Sequence, residues 1–241
     1  MNSFLPMSES IFSLSLVWFE RISHLTYGLI GVFITIKFAF LIMQVSPAQS
    51  YFDSIKNAAS YLGMTLAFPI LAKLFVFGAS DIADRIFKVA SYPKFTGIAE
   101  YVEIIFGQFG LIMFVWKIID LLVLNLAWAF HTVLLSVLIA IAPLIFFGCM
   151  MTDFNVGIKP FFTTFVALCA WPIVWNLLGQ LGMTTLSNLN STPLTSICFY
   201  FVFHLLQILS PIFCFSLLKN LNLDMGSKFA VKIGGKFGLG I

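Results

Sequence analysis

Charge is what this chain has least of, and the shortage is concentrated. From Leu121 to Leu218 the only formally charged side chains are Asp153 and Lys159. Over the whole 241 residues, charged side chains make up 10% and hydrophobic ones 60%, with 29 Phe among them. A soluble domain carries about 25% charge, so this composition excludes a wetted globule and names lipid as the solvent. One crossing helix takes about 20 apolar residues, and the charge-poor stretch has room for roughly three.

Further absences narrow the function. Cys149, Cys169, Cys198 and Cys214 lie inside apolar runs with neither zinc nor disulfide spacing, and read as small buried hydrophobes. No Lys or Arg precedes the first apolar residues, so Met1–Ser10 lacks the basic start of a cleavable signal peptide. Insertion through the chain's own spans is expected instead. HExxH, nucleophile, phosphate-loop and dinucleotide motifs are all missing, so neither an enzyme nor a cofactor or metal site is expected. His131 and His204 stand alone in apolar runs and read as hydrogen-bonded packing residues rather than ligands. A net charge of +3 is too small to argue for nucleic acid, and no direct nucleic-acid site is evident. Nor is there the residue-by-residue alternation of barrel strands, so the spans must be helices that satisfy their own backbone.

What is present is an all-α polytopic pattern over a single integral membrane domain. Leu25–Val45 and Ala59–Gly78 are two spans, the first closed by Ser46-Pro47. The next region has two parses. One folds Ile104–Leu126 and Ala127–Met150 into a hairpin, giving six spans. The other keeps Ile104–Trp116 as an interfacial or packed helix, too short to cross, and makes Leu121–Met150 one span, giving five. No Gly or Pro occurs from Leu111 to Ala142, and Asn125 is the lone weak turn residue, which favours the continuous helix. After a polar link at Asp153–Lys159, Pro160 opens a span to about Leu181. Gly182–Pro193 reads as a loop, and Leu194–Leu218 is the last span.

Lys219, Lys228, Lys232 and Lys236 follow that span, whereas Gly182–Pro193 has no Lys or Arg. The positive-inside rule therefore puts 219–241, a basic tail, in the cytoplasm. Five spans place the N-terminus outside and six place it inside. Charge counting at Arg85, Lys88 and Lys94 leans to six, and helix continuity leans to five.

The residues able to line a polar path are Lys37, Lys73, Lys117 and Asp120. A lysine at mid-membrane is expensive and normally faces protein or water, yet its long stem also lets it snorkel. Lys37 sits mid-span and carries both readings; Lys73, nearer its span's end, favours snorkelling. Lys117 and Asp120, three apart, share a helix face and can neutralise one another. The tail lysines meet anionic headgroups or a cytoplasmic partner.

Ala140-Ile-Ala-Pro-Leu-Ile-Phe-Phe147, then a short polar link, then Lys159-Pro-Phe-Phe162 and Trp171, resembles the TrbL-like polytopic inner-membrane subunit of type IV secretion and conjugation machines. The resemblance implies five spans, an outside N-terminus, a periplasmic segment at Ala79–Asp120 and a cytoplasmic C-terminus. It also implies a non-enzymatic channel or scaffold component, ringed with copies of itself and with other secretion-system subunits in the bacterial inner membrane. The competing expectation is a small secondary transporter or ion channel, with helices broken around Pro69, Pro143 or Pro172 and the lysines lining its path.

Overall fold

A computed structural model describes residues 7–43, 47–89, 110–151, 154–188 and 193–220. The elements among them are helices: α1 (Glu9–Ile42), α2 (Ala48–Val89), α3 (Gly110–Met151), α4 (Phe154–Asn188), α5 (Pro193–Ile208) and α6 (Ser210–Asn220). Four segments are long and apolar enough to cross a membrane: Glu9–Ile42, Ala48–Arg85, Leu122–Met151 and Ile158–Gly182.

The helices outrun the apolar runs that announced them. α1 starts at Glu9 rather than Leu25, because Ser8 caps it: the Ile11 amide donates to the Ser8 hydroxyl at 3.4 Å, and Glu9 complements the helix N-terminus. Glu20 and Arg21 are carried on its exposed side, with the Arg21 guanidinium 5.2 Å above the Trp18 ring. α2 likewise begins at Ala48 rather than Ala59.

α3 runs unbroken through Asn125, so the hairpin turn does not form there. Gly110–Trp116 belongs to this same helix and is not a separate interfacial one. α2 and α3, at 42 residues each, are about 63 Å long, about twice the thickness of a hydrocarbon core. The central part of Ala79–Asp120, residues 90–109, lies outside the described residues.

Two links shrink. α4 takes in most of Asp153–Lys159 and runs to Asn188, so the expected loop is already helical from Gly182 to Asn188. The last expected span, Leu194–Leu218, is two helices. Its interruption at Leu209 comes just before Pro211, which supplies no amide to the Gln207 carbonyl. Pro69, Pro143 and Pro172, by contrast, sit inside continuous helices, so the breaks expected there are absent.

The chain divides into two compact units. Of the described residues, the first holds those within Ser8–Phe75, Leu134–Ala167 and 217–220. On α1 it buries Phe12, Ser15, Phe19, Ser23, Thr26 and Ile30, spaced three and four apart as one helix face. Phe68 on α2 is fully buried, with ring centroids of Phe19, Phe146, Phe161, Phe162 and Phe165 between 5.4 and 6.3 Å away. The opposite face is apolar as well: Leu66 and Ile70 are 72% and 73% exposed. Such a face suits lipid or another protein surface.

Buried hydroxyls in this unit close on the backbone or on each other. Ser15 and Ser23 donate to the carbonyls of Ile11 and Phe19, both at 2.8 Å. Thr26 donates to the Ser23 carbonyl at 2.9 Å, which leaves its oxygen to accept from the Tyr61 hydroxyl, joining α1 to α2. Tyr61→Phe and Thr26→Val should each cost about 0.6–1.7 kcal/mol, the range of interhelical hydrogen bonds in membranes. Detergent unfolding of the double variant should show no further loss, since one bond is removed in all three cases.

Candidate functional site

Of the described residues, the second unit holds Met7 and those within Val76–Val133 and Leu168–Ser216. Its interior buries several polar side chains: His131, Thr132, Asn176, His204, Gln207 and Ser210. None of these carries a full charge as a neutral side chain, so each can stay in an apolar surround if hydrogen-bonded.

Three of them reach across to backbone carbonyls of another helix. His131 on α3 approaches the Leu168 carbonyl on α4 with Nε2 at 3.0 Å. A carbonyl only accepts, so Nε2 carries a proton. The Asn176 amide on α4 donates to the Ala83 carbonyl on α2 at 3.4 Å. The Gln207 amide on α5 donates to the Trp175 carbonyl on α4 at 3.1 Å. Together they tie α2, α3 and α5 to α4. An equivalent tie in the first unit runs from the Asn57 amide to the Met150 carbonyl at 3.4 Å, in the last turn of α3, where carbonyls have no helical donor.

Two glycines let α5 come close to α4. A Cβ at Gly179 would lie 2.8 Å from Gln207 Nε2, and one at Gly182 would lie 2.9 Å from Phe203 Cγ. Gly179 is also the residue whose own amide serves the Trp175 carbonyl in the helix ladder. Its missing side chain is what leaves that carbonyl open to a second donor.

Of the residues singled out from sequence, Lys37 and Lys73 have described side chains. Lys37 is half-buried on α1, with Nζ 5.7 Å above the Phe33 ring one turn back along its own helix. That is the posture of a lysine lying along its helix. Lys73 is exposed on α2. Lys117 and Asp120 fall on the continuous α3 and Lys219 on α6, with side chains outside the described set; Lys228, Lys232 and Lys236 lie outside the described residues altogether. Sequence reasoning misses Asn176, Gln207, Thr26 and Tyr61, although uncharged polar side chains inside apolar runs are a signal in plain view.

The arrangement can hold helices in register and orient them. Among the described residues no group of three or more His, Cys, Asp or Glu could hold a metal ion. Comparison of the chain with family models, with curated proteins and with solved structures finds no match.

Proposed function

We propose that this protein is a non-enzymatic scaffold or channel subunit of a type IV secretion-like translocation machine in the bacterial inner membrane, assembled as a ring of identical copies. The observation that carries the reading is how the buried polar side chains are spent. His131, Asn176 and Gln207 in the second unit, and Asn57 in the first, direct their donors at backbone carbonyls of other helices, which ties the helices within each unit. The sequence resemblance adds the machine: its residues Phe146, Phe161 and Phe162 pack around Phe68 in the core of the first unit.

In this reading the chain crosses five times, α5 and α6 together making the last crossing. The Lys219–Lys236 series then lies in the cytoplasm, and Ala79–Asp120 faces the periplasm to meet other secretion subunits. Purification in detergent with light-scattering mass measurement should give a discrete oligomer. Cysteines placed at Ser3 and Lys88, in a background lacking Cys149, Cys169, Cys198 and Cys214, should both label from outside. A monomer that moves a solute across liposomes would overturn the proposal, and cytoplasmic labelling at both positions would overturn the five crossings.

One observation favours a second reading, a small transporter or channel. The interruption at Leu209 lies beside buried His204, Gln207 and Ser210, and discontinuous helices are where transporters bind their cargo. Substituting Lys37 and Lys117 separates the two: a transporter loses flux, and a scaffold loses assembly.

A further inference from the structure

Pro172 sits inside α4. Proline has no amide hydrogen, so it leaves without a helical donor the carbonyl four residues before it. That carbonyl belongs to Leu168, and it is the one His131 Nε2 reaches at 3.0 Å. Both residues are buried, at 3% and 2% exposure, so bulk water does not reach the gap. An unmet carbonyl inside a membrane protein is costly. The imidazole is also held in place: Trp171, the residue preceding the proline, sets its indole edge-on to the His131 ring, with centroids 5.4 Å apart and planes at 82°.

We propose that His131 is a latch on α4, supplying from α3 the donor that Pro172 withholds and so fixing the path of α4 at Leu168–Pro172. The bond couples the two helices at this point, and position 131 requires a side chain that donates at the reach of Nε2. The latch is independent of the secretion reading, since it concerns how α4 is held and not what the assembly carries.

The test is a double-mutant cycle between His131→Ala and Pro172→Ala in the full-length protein, with His131→Gln as the conservative variant. Pro172→Ala returns an amide to the Leu168 carbonyl and makes the latch redundant. His131→Ala alone should lower the melting midpoint in detergent by about 4 °C. In the Pro172→Ala background the drop should fall to less than half of that. His131→Gln, whose amide reaches as far as Nε2, should restore most of it.

A second readout follows the path of α4 itself. Spin labels at Thr164 and Leu181, about 26 Å apart along a straight helix, should show a broadened distance distribution in His131→Ala. The distribution should narrow again in His131→Gln and stay narrow in both Pro172→Ala variants. If His131→Ala accumulates only together with Pro172→Ala, the latch is supported just as directly. Equal losses in both backgrounds, or an unchanged label distribution, would overturn it and leave His131 a packing residue.

Discussion

Phe68→Ala is expected to be the most damaging single truncation in the first unit, at about 3 kcal/mol, the lower end of the usual cost for a buried Phe. The lower end applies because lipid tails are as apolar as the ring, so the transfer part of the cost is small. What remains is the cavity itself and the dispersion attraction that its lining forfeits. Phe68 is fully buried among Phe19, Phe146, Phe161, Phe162 and Phe165, which come from α1, α3 and α4. A hole there loosens several helix pairs at once. Leu66→Ala is the matched control: Leu66 lies on the same helix but is 72% exposed, so it should cost under about 0.5 kcal/mol. Unfolding midpoints in mixed micelles read both. Comparable losses for the two would mean that the ring cluster is not the core of this unit.

That cluster is only partly legible in the sequence. Phe146, Phe161 and Phe162 stand out as a motif, but Phe68 looks like any apolar residue of its span, because a lipid-facing and a protein-facing phenylalanine are chemically alike. The absence of Gly and Pro from Leu111 to Ala142 does announce the unbroken α3. Helix starts are harder. Ser8 with Glu9 is a cap followed by an acidic first turn, but hydropathy weights apolar residues and passes over both. Prolines are hardest of all: Pro69, Pro143, Pro172 and Pro211 are the same residue in similar apolar runs, and only the last coincides with an interruption. For Pro172 the reason lies on α3, at His131, beyond any local window. The polar ties of the second unit are in view as lone Asn, Gln and His among apolar residues. Their acceptors are not, because a carbonyl has no letter in a sequence.

Gly182→Leu should separate α5 from α4 and cost at least as much as overpacking usually does, about 1–3 kcal/mol. The size of the effect follows from which atom stands in the way. A Cβ at residue 182 would lie 3.0 Å from Phe203 Cβ and 2.9 Å from its Cγ. Phe203 Cβ is bonded to the backbone and cannot swing aside, so relief requires α5 itself to move. At Gly179 the obstructing atom is Gln207 Nε2, the far end of a flexible side chain. Gly179→Ala should therefore cost only the bond to the Trp175 carbonyl, while Gly182→Ala already displaces a helix. Gly78 and Gly148 have nothing within 4 Å of a built Cβ, and their Ala variants should be neutral or slightly stabilising, since Ala is the better helix former. The expected order of loss is Gly182→Leu, Gly182→Ala, Gly179→Ala, then the two controls. Phe203→Ala should recover much of the Gly182→Ala defect, because it removes the ring that the new methyl meets. Crosslinking between cysteines on α4 and α5 reports the separation directly. If Phe203→Ala fails to rescue, or if Gly148→Ala is as harmful as Gly182→Ala, the close approach of α5 to α4 at Gly182 is not what holds this unit together.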